Sequence, residues 1–392
     1  MNLASARTSV LRFAGALAVG LLLFGVFVAA IGKSPFEVYA TIFEGGFASS
    51  FAWQNTLLRA APLVLTGLAV AIPAQAGLMV IGAEGALVLG GLATAALAAH
   101  LPGPVLVVQL LALVAGVTSG GVWLGLTGWL RARRGLNETI CSLLLSYIAI
   151  AIFNHLVEGA LRDPASLNKP STVPINDALM IGNLPGADVH WGLAIGVVCA
   201  VLAQIVLSRT TWGFALRVTG GNTRVAKMAG LSVTALLVAA CAAGGAAAGL
   251  AGGIEVMAVH GAANASLIAG YGYAGILVAF LARQQPLACV PVAVLLGGIA
   301  AAGSLLQRRL DLPDATTLVL QGFLFLCILA ADSIPARGFG LRRKEPAEST
   351  SATAPIIASV SPEPAAAPVD APPARHGVAR PVAAPTLVQP AS

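Results

Sequence analysis

A chain of 392 residues that is 57% hydrophobic and only 10% charged, with a mean hydropathy of +0.87, is not a soluble domain, which carries about 25% charged residues. That composition leaves a multi-span membrane protein. Its net charge of +6 does not mark a nucleic-acid binder, because the cations are scattered over short loops and no basic stripe carries aromatics.

A helix needs about 20 apolar residues to cross a bilayer, and suitable runs lie at 11–31, 60–81, 86–101, 104–130, 138–157, 190–207, 232–256, 267–282, 287–305 and 315–334. The first lacks a convincing A-x-A cleavage site and is expected to stay as a helix. The third is short and rich in Ala and Gly. It is expected as a half-helix or re-entrant segment, which requires protein around its ends. The expected fold class is therefore all-α: a polytopic integral membrane bundle of about ten transmembrane helices within residues 1–340, both termini cytoplasmic. Threaded so, the chain keeps fourteen Lys and Arg residues inside before its tail and places six outside, Lys33, Arg59, Arg162, Lys169, Arg308 and Arg309, in the sense of the positive-inside rule. The five cysteines all lie in apolar segments without CxxC pairing and read as small core residues rather than disulfides or metal ligands. Gly245, Gly249 and Gly253 recur at four-residue spacing, as do Gly121 and Gly125, a pattern that lets helices approach closely in lipid.

Three stretches lie outside the spans. Residues 158–189 form a polar, Pro- and Gly-containing outer loop. Residues 345–392 are Pro-, Ala- and Ser-rich without apolar periodicity; they cannot bury enough surface to fold, are expected to be disordered, and carry no catalytic role. The loop "SRTTWGFALRVTGGNTRVAKMAGLSV" (Ser208–Val233) reads as two short helices. The first covers Trp212 to Val218, a turn follows at Gly220–Asn222, and the second covers Thr223–Gly230, with Asn222 or Thr223 as its cap and Gly230 as its stop. Such a basic helix–turn–helix suits the groove of a cytoplasmic partner. An orientation signal plus connector explains the same residues.

Six pieces in order carry a family resemblance: "IGAEG" (Ile81–Gly85), "LNETICSLLLSYIA" (Leu136–Ala149), "TWGFALRVTGGNTRVAKMAGLSV" (Thr211–Val233), "GGAAAGLAGGIEVMAVHG" (Gly244–Gly261), "GYGYAGILVAFLARQQP" (Gly270–Pro286) and "LVLQGFLFLCILAAD" (Leu318–Asp332). Together they resemble the permease subunits of bacterial ATP-binding-cassette importers of the branched-chain amino acid and simple-sugar permease superfamily, in particular the nucleoside permease group. The likeness covers about residues 10–340. It implies that 208–231 is the coupling loop that docks on a separate ATPase subunit, with Trp212, Arg217, Gly220, Asn222, Arg224, Lys227 and Gly230 as its ATPase-coupling residues. It also implies a second permease subunit, related or identical, an extracytoplasmic substrate-binding protein and a place in the bacterial inner membrane. The chain has no G-x-x-x-x-G-K-[ST] stretch, so it is expected to be no enzyme and to hold no cofactor of its own, ATP being bound by the partner.

Polar groups among the apolar runs are the substrate-path candidates. Glu84, in "LMVIGAEGALVLGG", falls at the cytoplasmic end of the second run and the first turn of the third. It reads as a structural or gating residue near a helix N-terminus, with substrate contact as the alternative. Asn137 reads as part of a helix start or as a gate, and Asn154 and Glu255 as lining an outward mouth or as helix-end surface groups. Tyr271 and Tyr273 read as interfacial anchors or, beside their glycines, as a stacking slot for a nucleobase or sugar face. Gln321 can add a polar contact. No metal site is expected.

The leading functional reading is the translocation subunit of an ATP-driven importer for a small neutral polar solute, nucleosides first. Simple sugars and branched-chain amino acids are the alternatives in the same class. An ion-coupled secondary transporter is disfavoured because the acids gather at helix ends. A membrane enzyme is disfavoured because no HExxH, GxSxG or paired-Asp motif occurs.

Overall fold

The computed structural model describes residues 3–333, and the 345–392 tail lies outside the described residues. The helices in chain order are α1 (Leu3–Ala30), α2 (Pro35–Phe47), α3 (Ser50–Ala74), α4 (Ala83–His100), α5 (Val105–Arg134), α6 (Glu138–Glu158), α7 (Gly192–Arg209), α8 (Thr211–Gly221), α9 (Thr223–Met228), α10 (Val233–Glu255), α11 (Tyr271–Leu281), α12 (Cys289–Ala301), α13 (Gly303–Leu310) and α14 (Ala315–Ser333). Among the described residues no strand forms, and pairing is limited to isolated bridges such as Arg162 with Thr172.

Among the described residues seven helical stretches are long and apolar enough to cross a membrane: α3, α4, α5, α6, α7, α10 with its continuation to His260, and α12 with α13. The other three apolar runs fall on helices that are bent or short. α1 meets α2 at a bend of 116°, and the segments Ala265–Leu281 and Ala315–Ala331, which hold α11 and most of α14, are shorter apolar helices. The third run, expected as a half-helix, is the 18-residue α4. The second run differs most. Its helix starts at Ser50, ten residues early, and ends at Ala74, because Gly77 takes φ +74 and turns the chain out of the helix. Apolar composition alone does not distinguish a helix from extended chain buried in protein.

α3 runs through the middle of the bundle, and every residue from Ala60 to Pro73 is buried. Beside it α4, α5 and α10 cross at glycines. A Cβ on Gly249 would strike the Gly116 carbonyl, and one on Gly90 would strike the Gly249 backbone. The small-residue pattern of the sequence is thus used for backbone contact. Large apolar side chains point away from this core, among them Leu22 and Val26 on α1, Leu106, Leu110 and Val122 on α5, and Val198 and Leu202 on α7. A soluble protein does not leave such faces bare, whereas lipid solvates them.

The 159–191 connection lies across one end of α5 and α10. Thr172 N donates to Ala263 O at 2.9 Å, Ile175 N to Gly261 O at 2.8 Å and Ile181 N to Met257 O at 2.7 Å. Ile175, Leu179 and Met257 then bury against Ala98, Val108 and Ala112. The loop is a built cap over the segment that leads into α11.

Gly249→Ala should lower stability by about 1–3 kcal/mol through overpacking, whereas Gly322→Ala, with open space at its Cβ, should be neutral. Thermal unfolding in detergent compares the two.

Candidate functional site

The break between α3 and α4 leaves residues 75–82 outside any helix, with Ala76, Leu78, Val80 and Gly82 buried among apolar helices. Backbone groups in such a place must find partners inside the protein. α6 supplies them. Thr139 Oγ1 donates to Met79 O at 2.8 Å, Ile81 N donates to Ser142 Oγ at 3.0 Å, and Gly85 N donates to Ser146 Oγ at 3.3 Å. Spacings of three and four put these hydroxyls on one helix face. Asn137 sits at the start of this helix as its cap, accepting from Thr139 N at 2.9 Å and Ile140 N at 3.3 Å. The neighbouring Glu138 is 3.2 Å from the Arg131 guanidinium.

Glu84 lies in the first turn of α4 and is fully buried. Its carboxylate does not serve its own helix. It accepts from Gly270 N at 2.8 Å and Gly272 N at 2.6 Å, and the Tyr273 amide faces it as well. A carboxylate therefore closes the N-terminus of α11, where free amides and the helix dipole favour negative charge. The approach depends on Gly272, since a Cβ there would overlap the Glu84 backbone. The 11 residues of α11 span about 16 Å. At the far end Gln75 Nε2 donates to Gln284 O at 2.9 Å, and Arg283 and Gln284 are both left-handed, with φ 51° and 58°. Glu84 is thus a helix length from Gln75, in the first turn of α4 where its sequence position put it, with its carboxylate turned to α11.

On its other side α11 borders two adjoining cavities. One, of about 350 Å³, is lined by Gly270, Tyr273, Leu277, Leu318, Gln321 and Phe325 among others. The second, of about 160 Å³, shares Gly270 and Gln321 with it and adds Arg59, Tyr271, Asp314 and Thr317. Tyr271, Tyr273 and Gln321, far apart in sequence, come together here. Glu255 is buried, 3.8 Å from His260 Nε2, and in electrostatic range of Arg59 and Tyr271. Asn137 and Asn154 line neither cavity. Arg59, counted in the sequence as an outer-loop cation, is part of α3 because that helix begins early. Its setting in "LLRAAPLVL", a lone cation within an apolar run, was the available signal. Asp314 and Thr317 carried no comparable mark.

At the Gln75 end of the bundle stand α8 and α9. Thr210 Oγ1 accepts from Gly213 N at 3.3 Å to start α8, and Asn222 Oδ1 accepts from Arg224 N at 2.9 Å and Val225 N at 3.3 Å to start α9. Gly230, at φ +77, closes α9. α8 extends to Gly221, so the expected Gly220–Asn222 turn shrinks to Asn222. Trp212 packs against the core, and the Arg217 guanidinium donates to Leu207 O at the end of α7. Gly220 rests on the backbone of Gln75–Gly77 with no room for a side chain between them. Arg224 and Lys227 face outward, as do Phe214, Val225 and Met228, which are 62%, 47% and 79% exposed. The sequence reading chose the cations and missed this apolar set, although Val225 and Met228 are one helical turn apart.

A bundle with bare apolar flanks, a helix break bonded to a half-helix that borders two cavities, and an apolar-basic projection at one end has the build of a membrane transport subunit. Residues 53–329 match the family described as the permease component of the branched-chain amino acid transport system, and the chain belongs to that family. It is 32% identical over 336 residues to a glucose ABC transporter permease protein of Haloferax volcanii, covering 83% of this chain and 87% of the relative. It is 28% identical over 330 residues to a guanosine ABC transporter permease protein of Bacillus subtilis, with 81% and 92% covered. A nucleoside ABC transporter permease protein of Lactococcus lactis shares 26% over 292 residues, with 71% and 80% covered. The protein is an ABC transporter permease, a multi-pass inner-membrane component of transport rather than a catalyst.

Ser142→Ala should strand the Ile81 amide and cost about 1–3 kcal/mol, visible as a lower melting temperature in detergent. Ser208→Ala, on an exposed hydroxyl, should leave the melting temperature unchanged.

Proposed function

We propose that this permease carries nucleosides inward, driven by a separate ATPase subunit that grips the α8–α9 projection. The observation that carries the substrate reading is the pair of cavities beside the N-terminus of α11. Two tyrosines flank a space of about 350 and 160 Å³, within the usual range for a small-molecule site. Tyrosine faces stack on a base, and Gln321, Thr317 and Arg59 offer hydrogen bonds to a sugar. Relatives that carry guanosine and nucleosides in their names support the same class. A simple sugar is the second reading, supported by the glucose permease relative. The opposed charges of Arg59 and Asp314 suit a zwitterionic branched-chain amino acid, the third.

On this reading the chain makes about ten crossings with both termini cytoplasmic, and residues 1–340 are the permease domain. The α8–α9 end faces the cytosol, in keeping with Arg131, Arg133 and Arg134 at the end of α5, Arg209 at the end of α7, and Arg217, Arg224 and Lys227 on α8 and α9. The 158–189 loop faces outward, where an extracytoplasmic binding protein delivers substrate, and a second permease, related or identical, completes the pore. ATP belongs to the partner, and the permease needs no metal. Phe214, Val225 and Met228 form the apolar centre of the ATPase contact, with Arg224 and Lys227 at its rim. An apolar anchor with a polar rim is the usual anatomy of a protein interface.

Proteoliposomes holding the complete transporter should take up labelled guanosine only with ATP inside. Tyr273→Ala should weaken uptake about tenfold, in line with about 1–3 kcal/mol for a lost stacking contact. Competition by glucose or leucine instead of nucleosides would move the substrate to another class, and uptake driven by a proton gradient without the ATPase would refute the proposal. Met228→Asp should separate the permease from its ATPase on co-purification while leaving membrane insertion intact.

A further inference from the structure

The eight residues between α3 and α4 and the first turn of α4 run alongside α11. Gln75 holds the carbonyl of Gln284 at one end of α11, and Glu84 holds the amides of Gly270 and Gly272 at the other. Outside any helix up to Gly82, the strip passes the whole of α11, about 16 Å at 1.5 Å per residue. One strip of chain is therefore bonded to both ends of one half-helix. The lower bond falls on Gln284, the second of two successive non-glycine residues in the left-handed region, a strained geometry that persists only where its surroundings hold it. The same strip meets α8, where the Gly220 Cα lies on the Gln75 carbonyl and the Ala76–Gly77 backbone. Its other edge hangs on the α6 hydroxyls. α11 in turn carries Tyr271 and Tyr273 into the cavities.

We infer that residues 75–84 are the strut that carries movement of α8 to α11, and that Gln75 and Glu84 are its positioning residues. This rests on the reading of α8–α9 as the ATPase contact. A push on α8 reaches Gln75–Gly77 without an intervening side chain. Because the strut grips both ends of α11, the half-helix shifts as a rigid piece, taking the two tyrosines with it. Packed elements with two discrete arrangements are the means by which small shifts become transport steps. Neither Gln75 nor Glu84 touches the solute; each acts through α11.

The complete transporter in proteoliposomes provides the test, read as solute imported per ATP hydrolysed. Gln75→Glu keeps the side-chain length but removes the donor to Gln284 O. It should lower import per ATP at least tenfold, with hydrolysis by the partner within twofold of wild type and the concentration for half-maximal import unchanged. Glu84→Gln, which offers the α11 amides a single neutral acceptor, should give the same loss of coupling. A lock supplies the second measurement, since it adds a link where these variants remove one. Gln75→Cys and Gln284→Cys, joined by a short thiol crosslinker in a background without the five native cysteines, should leave import within about threefold, because the joined parts move together. Normal coupling in Gln75→Glu and Glu84→Gln, or a lock that stops import reversibly, overturns the strut while the wild-type complex still imports. A wild-type complex without ATP-driven import instead overturns the transporter reading beneath it.

Discussion

A carboxylate placed on the free amides of a helix that starts inside the bundle is the interaction on which the rest of the structure depends. A half-helix leaves its first N–H groups without partners in its own backbone. Glu84 meets two of them directly, at 2.8 and 2.6 Å. A buried acid is costly when isolated, and here the helix N-terminus supplies the compensating field. Each group makes the other tolerable. With α11 so anchored, its two tyrosines border the cavities.

The break that brings Glu84 to this position is itself built from ordinary parts. α6 offers hydroxyls at Thr139, Ser142 and Ser146 to the irregular chain after α3 and the first turn of α4. Glycines remove the side chains that would hold the backbones apart, Gly272 against Glu84 and Gly220 against Gln75–Gly77. The polar residues of this membrane protein therefore serve the backbone first. The solute-sized space is what remains beside it, and the projection at the Gln75 end is the handle by which a partner can reach it.

Much of this was legible in the sequence, and the limits have physical causes. Apolar runs located the helices because lipid and protein interior both demand hydrophobic side chains, and an Asn cap and a Gly stop located α9. The end of α3 was not legible. "PAQAGLMVIG" is apolar enough for a helix, and the hydroxyls of α6, some sixty residues on, help make a non-helical path acceptable. Tyr271, Tyr273 and Gln321 were singled out as polar groups in apolar runs, and they do converge. Asn137 was singled out on the same ground and turns out to be a cap. Arg59 was assigned to a loop because α3 starts ten residues earlier than its apolar run. Phe214, Val225 and Met228 passed unnoticed because an exposed apolar residue in a membrane protein looks like one more lipid contact until the fold places it on a projection.

Amide hydrogen exchange at residues 270–273, compared between the wild-type protein and Glu84→Gln in the same detergent or lipid, tests the central interaction most directly. Strong protection in the wild type that falls at these amides, with the middle of α11 less affected, is the result expected from a carboxylate holding the helix start. Fast exchange at Gly270 and Gly272 in the wild type, or protection indifferent to the substitution, would contradict it.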